Sequence, residues 1–134
     1  MHDIIYLMKS RKYHRGFEIL KPGDDTTSLF FLQDGLIEIF TKTESGDDFV
    51  LEKLFPGSVI NYRTFFLESD AMVYFRFGRD SYCRELPFST LKDLLNKHSE
   101  LKREFNMYKQ KTMLQSQTGI PLDYIMVMPK YLRE

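Results

Sequence analysis

The chain has 134 residues, with 19 basic and 19 acidic side chains, so its formal net charge is zero with the histidines neutral. Apolar residues make up 43% and aromatics 15%, with 12 Phe, 8 Tyr and no Trp. That length suits one domain with a real core, and the composition excludes disorder, because apolar residues are plentiful and no charge excess swells the chain.

The even balance also disfavours a nucleic-acid binder, since no basic surplus exists to neutralise phosphates. One cysteine, Cys83, excludes an intrachain disulfide and fits a reducing compartment. The apolar run Tyr124 to Met128 is far too short to span a bilayer. Asp3 and Lys9 interrupt the N-terminus, where no signal-peptide core is visible. A cytoplasmic domain with no direct membrane span is the expectation.

In chain order, a short helix is expected around Asp3 to Met8. The basic cluster Lys9, Arg11, Lys12, His14 and Arg15 reads first as a solvated linker or helix end. The alternative is contact of Lys9, Arg11, Lys12 and Arg15 with an acidic partner surface or with lipid headgroups. Turn signals then recur at roughly ten-residue intervals, the spacing of short strands. They are Lys21 to Asp25, Gln33-Asp34-Gly35, Ser45 to Asp48, Phe55 to Ser58 and Gly78-Arg79-Asp80. Between them lie six β-prone stretches: Phe17 to Leu20, Leu29 to Leu32, Leu36 to Thr41, Phe49 to Leu54, Ala71 to Phe77 and Ser81 to Leu86. Alternation places Ile37 and Ile39 on one face and Leu36, Glu38 and Phe40 on the other. The pattern is that of a sandwich or roll.

The character changes at Leu86-Pro87. Phe88, Leu91, Leu94 and Leu95 fall at helical spacing, with Ser89 as a candidate cap. Residues 101–116 read as an amphipathic helix capped by Ser99 and lying along a partner surface. Gly119-Ile120-Pro121 ends it. The boundaries expected are a domain over 1–116 and an apolar, aromatic tail over 117–134.

No catalytic chemistry is specified. His2, His14 and His98 lie far apart, and none pairs with another His or a Cys at metal-ligand spacing. Cys83, mid-strand between Tyr82 and Arg84, reads as packing rather than as a nucleophile. Neither an enzyme nor a metal or cofactor site is expected.

Three stretches together resemble the cyclic-nucleotide-binding domains. Tyr13 to Asp24 (Tyr-His-Arg-Gly-Phe-Glu-Ile-Leu-Lys-Pro-Gly-Asp) looks like the opening of that family. Leu29 to Ile39, turning at Asp34-Gly35, resembles its most recognisable strand pair, and Leu51 to Gly57 is similar to the run-up to its phosphate-binding cassette. The match runs from near Arg11 to near Thr112. It implies a mainly β fold with α: a double-stranded β-helix, or jelly-roll-like β-roll, of about eight strands. A short N-terminal helix, a short cassette helix and two C-terminal helices complete it.

The same resemblance marks where this chain departs from the family. The family cassette carries Phe-Gly-Glu, whose Glu accepts from the ribose 2′-hydroxyl, and further along an Arg that pairs with the cyclic phosphate. Laid on this chain without a gap, those positions are Ile60-Asn61-Tyr62 and Ala71, following Gly57. Both charged groups are missing, which makes cyclic AMP or cyclic GMP binding in the usual pose unfavourable. Arg63, flanked by Tyr62 and Thr64, is the candidate to swing toward the phosphate, whereas strand alternation puts Arg76 on the face opposite Ala71. Tyr62, Phe65 and Phe66 bring bulk where the nucleotide lies, which suggests a pocket filled from within.

Two family precedents bear on the tail. In ether-à-go-go-type potassium channels, a segment after the last helix plugs the homologous pocket, and here Tyr124, Ile125, Met126, Val127 and Met128 form an apolar run suited to plugging or to docking on a partner. In catabolite-activator-type regulators a helix-turn-helix follows the long helix, and about twenty residues are too few for it unless the chain is a fragment. The resulting expectation is a non-enzymatic regulatory or assembly module of an ion channel, exchanger or ciliary complex. It would bind a protein partner or membrane-protein complex and no nucleic acid.

Overall fold

The computed structural model describes residues 8–24, 27–61, 65, 73–117 and 124–125, without the side chains of 108, 111–117 and 124–125. The strands are β1 (Lys9–Tyr13), β2 (Glu18–Leu20), β3 (Ser28–Asp34), β4 (Ile37–Lys42), β5 (Asp48–Leu54), β6 (Val59–Ile60), β7 (Tyr74–Phe77), β8 (Ser81–Pro87) and β9 (Tyr124–Ile125). Two helices, α1 (Phe88–Lys97) and α2 (Ser99–Gln117), lie between β8 and β9. One sheet runs β1-β8-β3-β6-β9 and the other β2-β7-β4-β5, with every pairing antiparallel. The mainly β roll with two C-terminal helices is as the sequence predicts.

The two sheets enclose an apolar interior because their strands alternate. Leu32, Ile37, Ile39, Leu54, Phe75 and Phe77 point into it, joined by Leu20, Phe30, Ile60 and Cys83. The odd residues of β3, Leu29 and Phe31, point the other way, into a second cluster with Leu91 and Leu94 of α1 and Leu101 and Phe105 of α2. The central strand is therefore buried on both faces, which explains its run Leu29-Phe30-Phe31-Leu32 without any polar alternation. Burying each such side chain contributes about 1.5–3 kcal/mol, so β3 anchors both roll and helices.

Glycine at the β3–β4 turn is required twice over. Gly35 has a φ of +112°, and a Cβ there would come 2.0 Å from the Ser81 hydroxyl. That hydroxyl accepts from the Leu36 N–H at 3.1 Å and donates to the Arg79 carbonyl at 2.8 Å. The turn is thus stitched to the start of β8 across the roll.

Three expectations need correction. The basic cluster is neither linker nor helix end over Lys9, Arg11 and Lys12. These residues form β1, paired with β8 in the register Lys9↔Glu85 to Tyr13↔Ser81. Its four exposed positions carry no apolar alternation, so only the pairing identifies it as a strand. Ser89 does not cap α1, which begins at Phe88 with Pro87 at its N-cap and no side-chain hydrogen bond there. Phe88 instead ties its N–H to the Thr27 carbonyl at 2.8 Å. Of the stretch Ala71 to Phe77 the described residues are 73–77, and the strand there starts at Tyr74 and leaves out Val73. Phe40, on the face opposite Ile37 and Ile39, is buried there under Tyr74, at 4.9 Å between ring centroids, and the Arg76 guanidinium, at 4.2 Å. The helix expected at Asp3 to Met8 lies outside the described residues except for Met8, which is not helical.

Candidate functional site

The cassette segment leaves the roll through the tight turn Phe55 to Ser58. Gly57 adopts a φ of +100° there, which an L side chain resists, and donates its N–H to the Leu32 carbonyl at 2.9 Å. The Leu32 N–H donates in return to the Ser58 carbonyl at 2.9 Å, and the Ser58 hydroxyl to the Phe55 carbonyl at 2.7 Å. Gly57 therefore fixes the turn to β3, a positioning part.

Ile60 follows on β6, fully buried in the roll interior. Asn61 sits at the next position with a φ of 75°, the left-handed region that Asn tolerates better than other non-glycine residues. Its side-chain amide Nδ2 donates to the Ser28 carbonyl at 2.7 Å, across a separation of 33 residues. Asn61 thus takes a glycine-like backbone conformation while its amide bolts the start of the cassette to the start of β3. Sequence reasoning places Asn61 only where the family cassette has its glycine. The bond to Ser28 has no signal in the sequence.

Tyr62, Arg63, Thr64 and Ala71 lie outside the described residues, as does Phe66. Phe65 is described. It packs on the helix-facing cluster, with its ring 5.1 Å from that of Phe88 in an edge-on arrangement, and not on the roll interior. The bulk at Phe65 closes the seam between cassette and helices.

The electrostatics of the roll follow from the same inventory. Among the described residues the buried polar side chains are Ser28, Ser58, Asn61 and Ser81, and none is charged. Arg76 sits on the outer face of β7, as strand alternation predicts. Its Nε donates to Glu38 at 3.1 Å, and its terminal nitrogen pairs with Asp48. Burial pulls the Arg76 pKa down, but the hydrogen bonds to Asp48 and Glu38 outweigh it and leave the pKa raised. The bond to Arg76 in turn holds the Asp48 carboxyl below its ordinary value, with Lys42 adding to the effect.

Cys83 lies in the roll interior, and burial pushes its thiol up to about 12. A thiol held protonated is a packing group, as its sequence context suggests. Among the described residues no group of three or more His, Cys, Asp or Glu side chains could hold a metal.

Tyr124 and Ile125 form β9, which pairs with β6 in the register Val59↔Ile125 and Ile60↔Tyr124. The tail backbone thus extends the five-stranded sheet beside the segment that opens the cassette. Met126, Val127 and Met128 lie outside the described residues. Among the described residues no helix is long and apolar enough to cross a membrane.

Comparisons with known proteins agree with this geometry. Residues 10–98 match the family model for the cyclic nucleotide-binding domain. Electron transport regulator A of Shewanella oneidensis is 26% identical over 122 residues, covering 91% of this chain and 48% of that protein. The catabolite activator protein of Thermus thermophilus superposes with a TM-score of 0.73 at 16% identity, over 86% of this chain and 54% of that one. A transcriptional regulator of Thermotoga maritima gives 0.73 at 18% identity, over 87% of this chain and 92% of that one. The chain spans about half the length of the curated relative it matches.

Proposed function

Because the chain belongs to the cyclic nucleotide-binding domain family, we propose that it is a non-enzymatic regulatory or assembly module whose roll does not take cyclic AMP or cyclic GMP in the usual way. One observation carries this reading: among the described residues, the interior offers apolar side chains and no buried charge. A cyclic phosphate transferred there needs a cation, and a missing charge-assisted bond of this kind costs about 1.5–3 kcal/mol, roughly tenfold to a hundredfold in affinity. Arg76, a half-buried cation beside the roll, is committed to Glu38 and Asp48 on the outer face. No cofactor is needed in this role.

The module works through its seams. Phe65 and Phe88 join the cassette to α1, and α2 packs through Leu101 and Phe105 onto the same cluster as β3. A change in the cassette thereby reaches the helices, and through them a protein partner in the cytoplasm. The tail from Tyr124 to Met128 serves either as a plug beside β6 or as the docking strand, and the β6–β9 pairing supports an intramolecular role. Lys9, Arg11, Lys12 and Arg15 present basic groups on and just after the outermost strand of the larger sheet, suited to an acidic partner or a lipid headgroup.

The alternative is a cyclic-nucleotide sensor with a rearranged pocket in which Arg63 holds the phosphate. Calorimetric titration with cyclic AMP and cyclic GMP separates the two. No heat at millimolar nucleotide supports the favoured reading, whereas micromolar binding abolished by Arg63→Ala overturns it. For the parent protein, the likeness to Electron transport regulator A favours the regulatory part of a longer regulator over a channel or exchanger subunit. In that case DNA contact falls to a further domain. Its test is the full-length gene, where a DNA-binding module supports this reading and membrane spans refute it.

A further inference from the structure

The two helices carry the same short pattern on facing stripes. On α1, Lys92 is followed by Leu95 and Asn96, and on α2, Lys102 is followed by Phe105 and Asn106, with Lys109 one turn on. Spacings of three and four residues place each set on a single helix face. In the folded protein these faces line one open groove of about 390 Å³ together with Phe65. Its floor is buried Phe105 with half-buried Leu95 and Phe65, and its walls are the exposed lysines and asparagines.

The charge of this groove is one-sided. Three lysines line it and, among the described residues, no carboxylate does. None of the three makes an ion pair with a described residue. This local excess stands out in a chain whose formal net charge is zero. The groove also lies on the far side of β3 from the roll interior, because Phe105 belongs to the helix-facing cluster.

We propose that this groove docks an acidic, amphipathic peptide segment of a partner protein. Its apolar side chains would seat on the half-buried Leu95 and Phe65, its carboxylates would meet Lys92, Lys102 and Lys109, and its polar groups would bond the amides of Asn96 and Asn106. The lining selects a peptide over a small phosphate ligand for two reasons. Phosphate recognition favours the planar fork of Arg, and the groove is lined by lysines, whose single charges on flexible stems suit dispersed carboxylates. The walls are exposed, so a small molecule would stay largely wet, whereas a peptide spans both stripes and covers the floor. The proposal does not depend on whether the roll takes a nucleotide. Because Phe65 belongs to both the groove and the cassette seam, an occupant would also press on the cassette.

The test is an NMR titration of the nitrogen-15-labelled protein with a synthetic helical peptide of Leu and Glu at amphipathic spacing. Shifts should concentrate at Lys92, Asn96, Lys102, Asn106 and Phe65, and affinity should fall at least about tenfold between about 0.05 and 0.5 M salt. The exposed triple variants K92E/K102E/K109E and K92Q/K102Q/K109Q, each confirmed folded by an unchanged melt, should weaken binding by about tenfold or more. The same peptide with Lys in place of Glu should not bind. Absent shifts, shifts centred elsewhere, or wild-type affinity in the folded variants refute the proposal. So does a stronger response at these residues to ATP or to phosphatidylglycerol vesicles, which would assign the groove to a small anion or a membrane.

Discussion

Asn61 offers the sharpest test of how the cassette is held, because two substitutions separate its backbone from its side chain. Asn61→Gly removes the amide that donates to the Ser28 carbonyl at 2.7 Å but keeps the backbone free to hold a φ of 75°. Leaving that buried carbonyl without its donor costs about 1–3 kcal/mol. Asn61→Ala loses the same bond and also forces a Cβ into the left-handed region, a further penalty of about 1–2 kcal/mol. Both variants should therefore be less stable than the native protein, with Ala below Gly by roughly 1 kcal/mol after the greater unfolded-state freedom of Gly is allowed for. For a chain of this size each kcal/mol corresponds to about 3–6 °C in Tm. Urea denaturation and thermal melting of the three proteins read the order directly. If Ala matches or exceeds Gly, the left-handed backbone at Asn61 is wrong. If Gly equals the native protein, the bond to Ser28 contributes nothing and the cassette is anchored elsewhere.

Three other outcomes follow from the structure. Gly35→Ala should destabilise by about 2 kcal/mol or more in a thermal melt, since φ strain adds to a 2.0 Å approach to the Ser81 hydroxyl, and Ser81→Gly should not rescue it, because the Ser81 Cα would still lie 2.7 Å from the new Cβ. Asp48, whose pKa is lowered mainly by its bond to Arg76, contributes stability that is fully present above its ordinary value of 3.8 and is lost as pH falls through the depressed folded value. The stability difference between the native protein and Asp48→Asn should therefore be constant near neutral pH and vanish in acid, and urea midpoints across that range would show it. Cys83, with its thiol pushed up to about 12 by burial, should resist aromatic disulfide reagents in the folded protein and react only at the rate of opening. Rapid labelling under native conditions would mean that the roll interior is accessible.

Much of the roll was legible because its signals are local. Each strand between Glu18 and Leu54 is bounded by a turn that needs Gly, Pro or Asp at fixed places, and alternation sorts Ile37 and Ile39 inward without reference to a partner. β1 failed that test. Its Lys9-Ser10-Arg11-Lys12 run has no apolar face, and its strand character comes wholly from hydrogen bonding to β8, more than sixty residues away. The two-residue β6 and β9 are likewise strands only by virtue of their pairing.

For the site, the sequence by itself determined chemistry by exclusion. Residue types and spacings pointed to no metal cluster or activated nucleophile, and set Arg76 on the face opposite Ala71. Tertiary structure alone decided where the remaining groups work. It brought the Asn61 amide to Ser28, committed Arg76 to Glu38 and Asp48, and turned Phe65 toward Phe88 instead of the interior. It also set two lysine-bearing helix stripes across one groove. The reason is the same in each case. A side chain's periodicity fixes which face it occupies, but what lies across that face is set by chain segments whose separation no local pattern encodes.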